Sequence, residues 1–190
     1  MPPSRPPHLV LCPSPEEQPD PVALREVPPH SLVGAYSKYA AYVAYIGIRI
    51  LGRNDEIDDL VQDVFVEGLR GLGTLRDPAA VKAWLSTVTV RVATRKLRIR
   101  KIKRVLRQDP LDHDVSWPGA SPEESAAICQ VYRKLERVPA KHRAAWVLRV
   151  VEQEPLDQVA KVCGCSLATV KRWVCEVQAV VTGEPKESER

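Results

Sequence analysis

This sequence of 190 residues is poor in aromatic residues, glycine and methionine, and these shortages exclude several classes of protein. Aromatic side chains make up 5% of it, and there are only nine glycines. Runs of β-branched residues with strict polar alternation are hard to find, which argues against a β-sheet. The most apolar run, Tyr39 to Ile48, stops at Arg49 and is shorter than the about 20 residues that cross a bilayer. Most apolar residues follow helical spacing, so the sequence predicts an all-α protein.

Cysteine is present, but not in a pattern that builds a disulfide scaffold. The five cysteines are an odd number without framework spacing, which favours a reducing compartment. The first residues are rich in proline and do not form the apolar core of a signal peptide. We therefore expect a cytoplasmic protein without direct membrane insertion.

Proline divides the chain into segments. Residues 1–30 hold ten of the seventeen prolines, which predicts a disordered arm. Residues 108–122 are polar and contain three more, which predicts a flexible linker. The sequence thus predicts two small helical domains, at 31–107 and 123–182, and a charged tail at 183–190. Ser31 and Ser121 are expected to cap the first helix of each domain, with Glu124 completing a capping box at the second.

Charge is strongly segregated in the first domain although the net charge of the chain is only +4. The segment Asn54 to Leu69 predicts an amphipathic helix with an acidic outer face. The segment Arg91 to Arg107 holds nine basic residues and no acidic one. A protein that only bound DNA would gain nothing from the acidic helix, so the contrast indicates two partners of opposite charge.

The second domain contains a pattern typical of a helix-turn-helix. A short helix from Leu156 to Cys163 precedes Gly164, a residue that permits positive φ at a sharp turn. Ser166 is expected to cap a second helix, on which Val170 and Val174 face the first. The exposed candidates for DNA contact are Ser166, Leu167, Ala168, Thr169, Lys171, Arg172 and Glu176. Glu176 could accept a hydrogen bond from cytosine or only point to solvent. An ordinary αα-hairpin is the alternative interpretation of this local pattern.

Cys163 and Cys165 flank the glycine of that turn, and Cys175 follows ten residues later. A zinc site requires four ligands of suitable geometry, and His142 is the only histidine nearby in sequence. We expect both Cys163 and Cys165 to fill apolar core positions and predict no metal site.

Together the two halves resemble RNA polymerase sigma factors of the extracytoplasmic-function (ECF) group. The resemblance covers about residues 31–180 and depends on three anchors in family order. These are DEIDDLVQDVFVEGLRGLGTLRD (Asp55 to Asp77), Ala83-Trp84-Leu85 with the basic run after it, and the segment from Leu135 to Trp173.

The resemblance implies functions for specific residues. The acidic helix would dock on core RNA polymerase through Asp58, Asp59, Leu60, Gln62, Asp63 and Phe65. The −10 promoter element would be contacted by Arg76, Trp84, Arg91, Arg95, Lys96 and Arg98. The helix-turn-helix would bind the −35 element. The resemblance also implies an anti-sigma factor as a partner.

Several positions depart from the family pattern, and Cys175, Glu176 and Gln178 stand where the recognition helix usually carries more basic residues. Arg91 stands where Asn is usual, Arg95 where Asp is usual, and Trp173 where Arg is usual, so base preference cannot be transferred from the family. For Trp84 a core position is an open alternative, and for Arg95 and Arg98 a solvated basic face is.

Two other classes of function fit the sequence less well. A stand-alone regulator would bind operator DNA through the same helix-turn-helix, but it would leave the acidic helix without a purpose. An enzyme would require a nucleophile motif, a P-loop or paired metal carboxylates with a supporting histidine, and the sequence has none of them. We therefore predict a promoter-recognition subunit with no catalytic residues and no cofactor.

Overall fold

The computed structural model describes residues 32–72, 75, 77, 80–107 and 121–183, and every regular element in these ranges is helical. The all-α prediction is thus confirmed. Several predictions fall outside the described residues: the arm at 1–30, the cap at Ser31, Arg76, nearly all of the linker and residues 184–190. The described chain forms two compact units, and the division falls between Lys96 and Leu97.

The N-terminal unit is built from two helices and the first part of a third: α1 (Leu32–Leu51), α2 (Ile57–Gly71) and α3 (Ala80–Arg107). Helix α1 buries Val43, Ile46 and Ile50, which recur at helical spacing. Tyr36, two turns nearer the start of α1 than Val43, is half-exposed. The hydroxyls of Tyr42 in α1 and Ser86 in α3 are 2.7 Å apart and link these helices.

The C-terminal unit includes the end of α3 and four further helices. They are α4 (Pro122–Leu135), α5 (Ala140–Trp146), α6 (Leu156–Cys163) and α7 (Leu167–Thr182). The predicted capping box of α4 is present: Ser121 Oγ accepts from the Glu124 amide at 3.2 Å, and Glu124 accepts from the Ser121 amide at 2.8 Å. Trp146 fills the centre of the unit and donates from Nε1 to Gln178 Oε1 at 2.8 Å.

The helical segment that begins at Ala140 changes its form within a few turns. Helix α5 ends at Trp146 and continues as a π-helical turn, Val147–Val151. The Glu152 amide donates to the Val147 carbonyl at 3.1 Å, which is the i to i+5 spacing of a π-helix. The four apolar residues of this turn, Val147, Leu148, Val150 and Val151, are all buried.

A carboxylate surrounded by arginines lies inside the C-terminal unit. Glu136 is only 9% exposed and pairs with Arg104 at 2.6 Å, Arg143 at 3.5 Å and Arg100 at 3.7 Å. Burial alone would raise the pKa of Glu136, but the three arginines outweigh it, and the pKa is lowered. Arg143 is 2% exposed and also stacks 5.1 Å above the Tyr132 ring. A buried guanidinium is stable there only because the carboxylate and the ring compensate its charge.

Candidate protein- and nucleic-acid-binding surfaces

The outer face of α2 presents carboxylates to solvent. Asp58 and Asp59 are exposed in the first turn, where the helix dipole favours negative charge. Neither forms an ion pair within the described residues, and Gln62 is exposed one turn further on. Their charge is therefore available to an outside partner.

Leu60 and Phe65 are placed differently from what we expected. Leu60 is fully buried, so close to α1 that a Cβ at Gly47 would stand 2.7 Å from its Cδ2. Phe65 is also buried, and its ring meets that of Tyr36 edge-on at 4.9 Å. Leu60 cannot contact a partner directly, because its side chain holds α2 on α1 beneath the outer face. Phe65 also packs on α1, but it lines a groove between the two helices, so its assignment to docking stays a prediction.

Exposed apolar side chains, which the sequence reasoning missed as a binding feature, adjoin these carboxylates. Val66 and Leu69 are 55% and 60% exposed, and half-exposed Tyr36 lies across from them on α1. A groove of about 560 Å³ runs between the two helices here, with Asp58 and Gln62 among its lining residues. The available signal was the spacing of Asp59, Gln62, Val66 and Leu69, which places them on one stripe of α2.

The inner edge of the acidic helix pairs with the basic helix of the same unit. Glu67 accepts from Arg91 at 2.5 Å and from Arg95 at 2.8 Å. Asp63 lies 3.2 Å from Lys96 and 3.7 Å from Arg95. Arg91, Arg95 and Lys96 were assigned to the −10 element and Asp63 to docking. In the free protein these three basic residues are instead paired with Asp63 and Glu67.

Trp84 is half-buried, so it is compatible both with a core position and with contact to the −10 element, the two interpretations left open by the sequence. Its ring lies so close to Gly71, the last residue of α2, that any Cβ at that position would collide with it. The ring therefore ties the end of α2 to the start of α3, and its remaining surface is open to a ligand.

The rest of the basic run has two faces. Arg100 and Arg104 pair with Glu136, whereas Arg98, Lys101 and Lys103 are exposed and form no ion pair within the described residues. Exposed apolar side chains alternate with these three: Ile99, Ile102, Val105 and Leu106. Only the solvent face can contact a phosphate chain without breaking an ion pair.

The helix-turn-helix is formed as expected. Gly164 has φ +65° and ψ +47°, the left-handed conformation that ends α6. Ser166 Oγ accepts from the Thr169 amide at 3.2 Å and lies 2.8 Å from the Thr169 hydroxyl. Val170 and Val174 are buried against α6.

These contacts divide the expected DNA-binding residues at the start of α7 into those engaged in the helix cap and those that stay outside it with exposed side chains. The hydroxyls of Ser166 and Thr169 are engaged with each other in the cap. Exposed side chains remain at Leu167, Ala168, Lys171 and Arg172. Of the six, Lys171 and Arg172 carry the charge that a nucleic acid requires.

The turn cysteines differ from each other. Cys163 is buried, and burial raises the pKa of its thiol to about 12. Cys165 is only half-buried, so the expectation of a core position holds for Cys163 and is wrong for Cys165, which the turn leaves at the surface of the unit. Within the described ranges, no three His, Cys, Asp or Glu side chains are grouped as metal ligands would be. Nor does any helix there have the length and apolarity to span a membrane.

Comparison with known families connects both units to one group of proteins. Residues 35–104 match the model of Sigma-70 region 2, and residues 130–176 match the model of Sigma-70, region 4. A solved structure of the sigma factor RpoE with the anti-sigma factor NepR, from Bartonella quintana, superposes with a TM-score of 0.59. The superposition covers 82% of this chain and 96% of that one, and at 18% identity it shows the fold alone.

Relatives with established names agree with these matches. RNA polymerase sigma factor SigV of Bacillus subtilis is 26% identical over 117 residues, which cover 62% of this chain and 68% of that protein. ECF RNA polymerase sigma factor SigM of Mycobacterium tuberculosis is 30% identical over 126 residues, covering 66% and 62%. Since both units match regions of one family, this chain belongs to the sigma-70 family of RNA polymerase sigma factors, in the extracytoplasmic-function group.

Proposed function

We propose that this protein directs RNA polymerase to promoters, with α2 as the docking helix and α3 and α7 as DNA-binding helices. The observation that carries the proposal is the outer face of α2, where Asp58 and Asp59, which have no ion-pair partner among the described residues, adjoin exposed Val66 and Leu69. A face that combines uncompensated charge with apolar surface suits a protein partner, because the apolar part provides affinity and the charges set orientation and association rate.

The docking surface is defined by Asp58, Asp59, Gln62, Val66 and Leu69. Asp63 was expected to belong to it, but its carboxylate is held by Lys96. We propose that Asp63 acts within the protein instead, fixing α3 beside the docking helix. The partner surface on the polymerase would be basic at its rim and apolar at its centre.

The −10 element would be bound on α3. Arg98, Lys101 and Lys103 offer immediate phosphate contacts, and the open surface of Trp84 is suited to stacking on an unpaired base. Three further basic residues would have to leave their carboxylate partners, Asp63 and Glu67, before they could bind a phosphate; they are Arg91, Arg95 and Lys96. Such an exchange is feasible because the pairs are exposed to solvent, where ion pairs are weak. We retain Arg76 as a candidate from the family resemblance.

The −35 element would be read by α7 in the major groove, since the N-terminal residues of a recognition helix contact base edges. Lys171 and Arg172 are the principal candidates, and Leu167 and Ala168 would provide apolar contacts. Ser166 and Thr169 would contribute mainly by capping the helix.

The remaining properties follow from this proposal. The protein would have no catalytic centre of its own and would act in the cytoplasm with the polymerase. Its functional domains would be residues 31–107 and 123–182. An anti-sigma factor is a proposed partner, and its support is that the superposed RpoE was solved in complex with one.

Sign reversal on α2 tests the proposal. We expect D58K/D59K to lower binding to core polymerase at least tenfold, because two attractive charges become repulsive. The matched control is E123K/D157K, which reverses two exposed carboxylates on the other unit. Binding would be measured by fluorescence anisotropy with labelled protein, and folding by circular dichroism.

Equal polymerase binding by D58K/D59K and the control would contradict the docking surface. Tight, sequence-specific binding of promoter duplex by the wild-type protein alone, with no affinity for core polymerase, would contradict the proposed function as a whole.

A further inference from the structure

A chain of three side chains joins α5 to the exposed face of α7. His142 Nδ1 on α5 lies 3.2 Å from Glu176 Oε2, and the other carboxylate oxygen, Oε1, lies 4.0 Å from Arg172 Nε. Both oxygens of Glu176 are therefore directed to partners within the protein. The sequence alone left open that Glu176 accepts a hydrogen bond from a base, and this geometry argues against it.

Trp173 holds the first member of the chain. Its ring stacks on the His142 ring with centroids 4.6 Å apart and an interplanar angle of 21°. The ring thereby fixes the orientation of the imidazole, so that Nδ1 faces Glu176. Trp173 stands where the family usually has Arg, and the stack gives this substitution a structural purpose.

Arg172 has Glu176 on one side. Its Nε lies 4.0 Å from Oε1, which is an ion-pair distance and too long for a hydrogen bond, and no acceptor in the described part of the chain contacts its two terminal nitrogens. Those nitrogens form the fork that binds guanine O6 and N7, or a phosphate, in two parallel hydrogen bonds. Arg172 is 69% exposed, so the fork is open to solvent on the face of α7 that also holds Lys171.

We propose that His142 and Glu176 are positioning residues that hold Arg172 in the orientation in which it reads one base pair of the −35 element. The inference rests on the proposed function, since it requires α7 to lie in the major groove of promoter DNA. His142 donates through Nδ1 in its neutral form, and its pKa is lowered, mainly by burial and also by Arg172, against the opposing effect of Glu176. Trp173 supports the arrangement without touching DNA.

The test uses full-length protein assembled with core polymerase and a promoter library randomised across the −35 element. Wild-type holoenzyme is expected to prefer one base at a single position by roughly tenfold, and R172A should abolish that preference. E176A should weaken the same preference at least threefold. Because the two residues act in series, R172A/E176A should be no worse than R172A.

Two substitutions of His142 separate positioning from packing. An Asn amide nitrogen can occupy the place of Nδ1, whereas a Gln amide reaches the place of Nε2. We expect H142Q to weaken the base preference as E176A does, and H142N to restore most of it, although both remove the stack on Trp173. D157N is the control for loss of one carboxylate in this unit, since the one ion pair of Asp157 within the described residues is with Lys161 at 3.8 Å.

The outcomes distinguish the inference from the proposed function. E176A could instead lose preference at a different base pair, and its effect could add to that of R172A in the double variant. This result would show that Glu176 contacts a base directly and would overturn the inference. An unchanged preference in both E176A and H142Q would also overturn it. If wild-type holoenzyme selects no sequence at all in this region, the proposed function itself fails.

Discussion

Two carboxylates of this protein are each surrounded by arginines, and they lie in opposite environments. Glu67, on α2, is 25% exposed, and its partner Arg91 is 63% exposed. Glu136, in the C-terminal unit, is 9% exposed, and its partner Arg143 is 2% exposed. The comparison teaches that the same pair of residue types can serve two purposes, because exposure to solvent sets how strongly a carboxylate and its arginines stabilise one another.

In the exposed cluster, water and salt screen the charges, so each partner can leave at little cost. In the buried cluster, removal of one charge leaves the other without compensation in a medium that solvates it poorly. We therefore propose that the arginines paired with Glu67 can leave it and bind a phosphate. The arginines paired with Glu136 stabilise the fold.

The largest expected effect comes from E136Q. This variant should lower the free energy of unfolding by about 3 kcal/mol, because Arg143 stays buried without a carboxylate. Urea denaturation followed by circular dichroism would measure it, with E67Q as the chemically identical change in the exposed cluster. Equal stability of E136Q and the wild type would break the comparison.

The pH dependence of stability gives a second measure of the buried cluster. The pKa of Glu136 is lowered by folding, so its contribution is fully present above the unfolded value of about 4.3. The contribution is lost as the pH falls through the lower folded value. The difference in unfolding free energy between wild type and E136Q should thus shrink steadily below about pH 4.3. A difference that stays constant to pH 2 would show that Glu136 acts by shape and not by charge.

The smallest expected effect is that of E67Q on stability. Loss of its exposed pairs should cost less than about 1 kcal/mol, and addition of salt should reduce even that. Unfolding curves at about 0.05 M and 1 M NaCl would measure both. A large, salt-independent loss would place Glu67 in the same class as Glu136.

Local signals in the sequence predicted the elements that depend on neighbouring residues. Gly164 and Ser166 predicted the turn and the cap of the helix-turn-helix, and Ser121 with Glu124 predicted the start of α4. Each of these features is decided within four residues of chain, where geometry leaves few alternatives.

Features that depend on distant residues were beyond the sequence. The pairing of Glu67 with Arg91 joins positions 24 residues apart, and charge patterns do not reveal which acid meets which base. The spacing of Leu60 with Val61 and Val64 puts it on the apolar face of α2, so its assignment to docking came from the family resemblance and not from the helix pattern. The π-helical turn, Val147–Val151, is a single turn and leaves no periodic signature in the sequence.

The burial of Cys163 has a practical consequence for chemistry on this protein. A thiol that stays protonated and covered reacts slowly with alkylating reagents, whereas Cys175 lies exposed on α7, one turn after Lys171. A maleimide fluorophore would react with Cys175 much faster than with Cys163. The helix proposed to enter the promoter groove thus carries a natural attachment point for a dye, beside the side chains whose engagement such a dye would report.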